Sequence, residues 1–290
     1  NELLVTRGSS EAIDVLIRGF CTANRDSISI CPPTFDMYRV YAEIQGAGIV
    51  RIPLRRSDDV AADFTLDVDG VVAGIDAGTK LIFVCTPNNP TGTTASAADI
   101  ETICSAAEGS AIVVVDEAYR EFSAEQDCRA LQQRFNHVVL LRTLSKFVSL
   151  AGVRCGALIG DPALIAFLGT VLPPYTFPTP SIELVQQAMQ GDSISIANER
   201  IAIVRAERER LTSTLVGIDG IDRVWPSQAN FVFVRVRPGF DLVERARRAG
   251  ILVRVFANDA TLNDCVRISI GTPEHNDRLI AALTQPEASP

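Results

Sequence analysis

Lysine is nearly absent from this 290-residue chain: Lys80 and Lys146 are the only two, and arginine carries the remaining basic charge. Arginine stays protonated in proteins and cannot serve as an amine nucleophile. Any amine chemistry on a carbonyl therefore falls to Lys146 or Lys80. Histidine is as scarce. His137 and His275 stand far apart and no metal-ligand spacing surrounds them, so no metal site is expected. The seven cysteines (Cys21, Cys31, Cys85, Cys104, Cys128, Cys155, Cys265) include no C-x-x-C pair and are odd in number. That usage suits small core residues in a reducing cytoplasm. No basic tract offsets the formal charge of −8, which argues against a general nucleic-acid binder. No apolar run reaches transmembrane length and no signal-peptide pattern is visible, so no membrane partner is expected. The chain also lacks a starting methionine and opens at Asn1; a preceding segment is expected to be missing.

What is present reads as a globular protein, with 47% hydrophobic and 21% charged residues. The length suits a large domain at 1–178 and a smaller one at 179–290. The surroundings of Lys146, R-T-L-S-K-F-V-S-L-A-G-V-R-C-G, hold the hydroxyls Thr143 and Ser145 and the guanidinium of Arg154. Hydroxyls and a guanidinium beside a lysine suit a phosphate next to an imine. Taken alone, the stretch also fits a surface lysine in a Ser/Thr loop.

Near the start, V-T-R-G-S-S-E-A-I-D-V-L-I-R-G-F has apolar residues at helical spacing, with Gly8 as the turn and Ser9 or Ser10 as cap. Such a start leaves backbone N–H groups facing outward for an anion, or is an ordinary capped helix. A strand at 27–30 leads into C-P-P-T-F-D-M-Y, where Thr34 can cap a helix through about Gln45. Phe35 then lies at a strand end, where α/β proteins place ligands; an aromatic there is also a common core residue. A strand follows at 49–53, and the charged loop 55–64 is expected to be exposed.

From Lys80 a strand–loop–helix pattern repeats. The run L-I-F-V-C ends in the turn T-P-N-N-P-T-G, a helix spans about 96–108, and A-I-V-V-V-D-E-A-Y is a second buried strand. Asp116 ends that strand and Tyr119 follows; each needs a partner if buried. V-V-L-L and C-G-A-L-I-G add two more strands. The succession predicts an α/β fold with a mostly parallel, doubly wound sheet. Beyond Pro173-Pro174, helices at 181–190 and 193–216 precede strands near 230–234, 252–255 and 265–270. Two further helices, at 241–249 and 273–283, complete an α+β C-terminal domain. The Arg and Glu residues of the long helix read as a solvated face.

Four spaced elements, N-N-P-T-G, D-E-A-Y, T-L-S-K and Arg154, together resemble the fold-type I aminotransferases that use pyridoxal 5′-phosphate (PLP). C-P-P-T-F-D-M-Y, D-E-A-Y-R-E-F and the Lys146 stretch look most like the histidinol-phosphate aminotransferases within that family. The resemblance covers essentially the whole chain. It implies that Lys146 bonds to the cofactor aldehyde and later shuttles the substrate Cα proton. It implies that Asp116 pairs with the pyridine nitrogen, and that Asn89 and Tyr119 hydrogen-bond the ring oxygen. Phe35 would stack on the ring, where the family more often has Tyr. The phosphate would lie on Ser9, Ser10, Thr143, Ser145 and Arg154. Arg267 would bind the substrate α-carboxylate, Arg254 a substrate phosphate, and Asn230 would stand on the substrate side. The expected reaction is transamination of histidinol phosphate with 2-oxoglutarate in histidine biosynthesis, by a homodimer acting on small molecules. An aromatic amino-acid aminotransferase and a PLP lyase such as threonine-phosphate decarboxylase share this cofactor site and stay open. Members normally begin with a further segment that reaches the partner subunit's site.

Overall fold

The buried apolar runs assemble into a seven-stranded sheet in the order β1-β7-β6-β5-β4-β2-β3. Its strands are β1 (Leu3–Thr6), β2 (Ser27–Ile30), β3 (Gly48–Arg51), β4 (Thr79–Cys85), β5 (Ile112–Asp116), β6 (Val138–Thr143) and β7 (Gly156–Ile159). The computed structural model describes residues 2–125, 127–257 and 259–285. Neighbours from β3 through β6 pair in parallel, whereas β7 runs antiparallel to both β6 and β1. The mostly parallel, doubly wound α/β reading holds, with one reversed strand.

Side-chain alternation along the strands explains why both faces are covered. Leu81 and Phe83 of β4 join one core with α1 (Gly8–Phe20), α2 (Met37–Gln45) and α7 (Pro162–Val171). Ile82 and Val84 join the other with α3 (Val68–Ala73), α4 (Ala97–Ala107) and α5 (Arg129–Arg134). The short α6 (Leu144–Phe147) follows β6 directly, so the Lys146 stretch begins where a buried strand ends. The strand β1 and the helices α3, α5 and α7 were not anticipated from the sequence.

After α8 (Thr179–Ala188) and the long α9 (Ser193–Val216), a second, antiparallel sheet has the order β10-β11-β9-β8. It comprises β8 (Ile221–Trp225), β9 (Phe231–Val236), β10 (Arg254–Val255) and β11 (Cys265–Ser269), backed by α10 (Leu242–Arg248) and α11 (Pro273–Thr284). Strand β8 was likewise unanticipated, and β10 is shorter than the expected 252–255.

Two expectations fail where the sheets meet. Loop 55–64 does not stay exposed: Asp63 and Phe64 are buried, and Phe64 packs at 5.2 Å on the Trp225 ring of β8. Asp63 accepts from Trp225 Nε1 at 2.9 Å, Arg223 Nη1 at 3.1 Å and Arg56 Nε at 2.8 Å. A buried carboxylate with three such donors fastens the loop to the second sheet. The second failure is α9, whose charges are not all solvated. Arg208 is buried and donates to the carbonyls of Phe122 and Ala229, at 3.1 and 2.9 Å. Arg205 donates to the carbonyls of Glu121, Phe122 and Ser123. Both arginines cap the turn that follows β5. No helix among the described residues is long and apolar enough to cross a membrane.

Candidate active site

Parallel strands deliver their C-terminal ends to one edge of the sheet, and a cleft opens there. β4 ends at Cys85 and β5 at Asp116, which are directly paired across the ladder, while β6 ends at Thr143. The cleft is lined by Ser9, Ser10, Phe35, Asn89, Asp116, Tyr119, Thr143, Ser145, Lys146 and Arg154, with Cys85, Ala118 and Ala151. All ten candidates for one ligand site in the first domain thus come together.

One end of the cleft is built for an anion. Gly8, at φ +76°, turns the chain from β1 into α1. The helix begins at Gly8 itself, with Arg7 as N-cap and no side-chain capping bond. The expected Ser9 or Ser10 cap is therefore corrected: both serines sit inside the first turn. Glu11 takes the Arg7 N–H at 2.7 Å, and the next N–H groups point out of the helix end. Opposite them, Ser145 N–H donates to Thr143 Oγ1 at 3.1 Å, and Thr143 Oγ1 donates to Ser145 Oγ at 2.9 Å. Arg154 spans the two halves, donating to the carbonyls of Ala151 and Arg7 at 3.0 and 3.3 Å. Thr34 does not cap α2 either; Asp36 occupies the N-cap position without a side-chain capping bond, its carboxylate accepting from Arg39 instead.

The opposite end presents a buried anion of the protein's own. Asp116 is 2% exposed, and no ion pair to it occurs among the described residues. Its oxygens accept from Tyr38 Oη at 2.7 Å and the Ala118 N–H at 3.1 Å. Burial raises its pKa, and these two donors oppose the rise. A carboxylate placed like this, facing a cleft with only neutral donors, suits a cationic ligand group.

Between the two ends stands Lys146, with its Nζ 5.7 Å from the centre of the Tyr119 ring. Burial lowers its pKa, and the positive charges of Arg267 and Arg154 lower it further. Its amine loses a proton more readily than a solvated lysine, as a nucleophile or base requires. Lys80 is elsewhere, at the opposite end of β4, with its Nζ bonded to the Ala77 carbonyl. Tyr119 packs edge-on against Phe231, and burial holds its hydroxyl protonated.

The second sheet reaches the rim through Arg267, whose Nη1 donates to Asn89 Oδ1 at 2.6 Å. Its Nε is buried with no partner among the described residues. Asn89 thus spends its carbonyl on Arg267, which leaves its amide hydrogens for a ligand. Arg254 lies opposite Arg267 in the β10–β11 pair and is exposed. None of Arg254, Arg267 and Asn230 lines the cleft itself; Asn230 is half-buried, and its carbonyl accepts the Ile270 N–H. Sequence reading missed Tyr38, Cys85 and Ala118. Tyr38 lies three residues beyond Phe35, in the first turn of α2, the only local sign that it faces the same way.

The donor set fits a flat ligand with a phosphate at one end, a protonated ring nitrogen at the other, and an aldehyde within reach of Lys146. Residues 1–283 match the family described as aminotransferase class I and II. The histidinol-phosphate aminotransferase of Xanthomonas campestris pv. campestris (strain B100) is 42% identical over 283 residues, covering 97% of this chain and 77% of that protein. Its counterpart in Xylella fastidiosa (strain Temecula1 / ATCC 700964) is 41% identical over 290 residues, covering 100% of this chain and 79% of the relative. The solved histidinol-phosphate aminotransferase of Clostridium acetobutylicum aligns with a TM-score of 0.85 at 22% identity, over 97% of this chain and 82% of that one. At that identity the likeness speaks for the fold alone.

Proposed function

Because the chain belongs to the class I and II aminotransferase family, we propose that it is a PLP-dependent enzyme that transaminates histidinol phosphate with 2-oxoglutarate. The observation that carries this reading is one cleft joining an amine, a buried carboxylate and an anion cradle: Lys146, Asp116, and Ser9, Ser10, Thr143, Ser145 and Arg154. The substrate assignment draws on the two relatives above 40% identity, both named histidinol-phosphate aminotransferases.

When bound, PLP supplies an aldehyde and an electron-poor ring that accepts the electron pair left at the substrate Cα. The α1 N-terminus and Arg154 hold the phosphate end. Asp116 keeps a proton on the ring nitrogen, which preserves the ring's pull on electrons. Phe35 covers one face of the ring; it stacks as a tyrosine would, without a hydroxyl contact. Asn89 and Tyr119 donate to the ring oxygen. Lys146 anchors the cofactor and is the base that removes and returns the proton at the substrate Cα. Arg267 would receive the α-carboxylate of glutamate in a forked bond, and Arg254 the phosphate of histidinol phosphate or the second carboxylate of glutamate.

A single-turnover experiment tests this. The loaded enzyme, mixed with histidinol phosphate and no acceptor, is expected to pass to the amine form of the cofactor, and mixed with glutamate it should do the same without releasing carbon dioxide. Adding 2-oxoglutarate should restore the original spectrum. Carbon dioxide release from glutamate, or an unchanged spectrum with histidinol phosphate, would overturn the assignment.

A further inference from the structure

Tyr38 is fully buried, and its ring stacks on Phe83 with centroids 4.6 Å apart and planes 19° from parallel. A buried tyrosine must satisfy its hydroxyl, and a backbone carbonyl would suffice. Here the hydroxyl is spent instead on Asp116 Oδ2, 78 residues away in the chain, at 2.7 Å. The edge of the same ring meets Phe35, with centroids 5.6 Å apart at 87°. One side chain of α2 therefore touches two of the groups that would contact the ring of the cofactor.

We propose that Tyr38 is a positioning residue for the cofactor: its hydroxyl keeps Asp116 ionised and aimed into the cleft, while its ring edge holds Phe35 against the ligand face. This rests on the PLP reading of the cleft. Asp116 has one donor on each oxygen, Tyr38 on one and the Ala118 N–H on the other. Removing the tyrosine hydroxyl leaves Oδ2 without a protein donor in a buried setting, which favours the protonated acid. The titratable groups facing Asp116 are Tyr38 from α2, Cys85 from β4 and Tyr119 beyond β5, with Lys146 and Arg154 across the cleft. Burial raises the pKa of Tyr38, Cys85 and Tyr119, so these three stay protonated and Tyr38 acts as donor.

Tyr38→Phe keeps both ring contacts and deletes only the donor. Titration of the apoprotein with PLP is the readout, run from pH 5 to 8 alongside the Asp116→Asn protein. Tyr38→Phe is expected to weaken PLP binding roughly ten-fold at neutral pH. The fall in affinity on acidification should also begin at a higher pH than in the wild type, because Asp116 then retains its proton longer. In the Asp116→Asn background the same substitution should change affinity less than two-fold. A 3-fluorotyrosine at position 38 is a stronger donor and should move the pH profile the other way. Equal losses in both backgrounds with an unmoved profile would mean a merely structural tyrosine and overturn the proposal, as would wild-type affinity in Tyr38→Phe. If Asp116→Asn alone leaves PLP affinity untouched, the reading of the cleft falls, and the inference with it.

Discussion

Replacing Gly8 by alanine perturbs the anion cradle with a single carbon atom. Gly8 holds φ +76°, and a Cβ built there would lie 2.7 Å from Arg154 Nη2 and 3.3 Å from its Cζ. Two costs follow. An L-residue in the left-handed region costs about 1–2 kcal/mol of backbone energy. The guanidinium must also move, giving up its 3.3 Å bond to the Arg7 carbonyl and the place proposed for it at the phosphate. A charge-assisted contact of that kind contributes about 1.5–3 kcal/mol, roughly ten- to a hundred-fold in affinity. The backbone term acts on the apoprotein and should lower its melting temperature by about 2–8 °C. The guanidinium term acts on the loaded protein, so PLP titration separates the two. Gly152→Ala is the matched control in the same region, since its Cβ would meet nothing within 4 Å. Wild-type PLP affinity in Gly8→Ala would refute the reasoning, because it would put the phosphate out of reach of Arg154.

Two further outcomes are expected. Arg254→Gln should lower kcat/KM for histidinol phosphate about ten- to a hundred-fold more than for phenylalanine; equal loss with both donors would remove Arg254 as the phosphate reader. Burial pushes the Asp63 carboxyl up, but hydrogen bonds from Arg56, Trp225 and the Ser57 N–H outweigh it and hold its pKa at about 2. A depressed carboxylate adds stability that is complete above the unfolded pKa, about 3.9, and is lost as pH falls through the folded value. Urea unfolding of the wild type should therefore lose about 2 kcal/mol between roughly pH 5 and pH 1 that Asp63→Asn does not lose. Identical acid limbs in the two proteins would contradict that.

The strands β4, β5 and β6 were legible because burial on both faces demands unbroken apolar runs, and such runs are hard to mistake. Asn89, Asp116, Tyr119, Thr143, Ser145 and Lys146 were legible for a related reason: they end or follow such runs, where a parallel sheet collects its C-terminal ends. Strand β8 was not, since I-D-R-V-W lacks a strict alternation and is defined by its pairing with β9. Helix α7 carried a readable start, Asp161 capping and Pro162 in the first turn, and was overlooked. The burial of Asp63 and Phe64 had no local sign, because their partners Trp225 and Arg223 lie some 160 residues away and the contact exists only once both sheets have formed. Tyr38 is the same case within the site. Its position on α2 shows only that it faces inward, and its bond to Asp116 is a product of the tertiary fold. The α9 arginines misled for the opposite reason: a run of charges looks solvated whichever members turn inward to cap a neighbouring loop.

The claim on which all the others depend is that Lys146 bonds covalently to the cofactor. Borohydride reduction of the PLP-loaded protein, followed by proteolysis and mass spectrometry of the peptides, tests it directly. The chain offers only two lysines for the label. The structure sets Lys146 in the cleft with a lowered pKa, and Lys80 at the far end of β4, bonded to the Ala77 carbonyl. The pyridoxyl mass is expected on the peptide containing Lys146 and on no other. A label on Lys80, or no label on a protein that has bound PLP, would contradict the account.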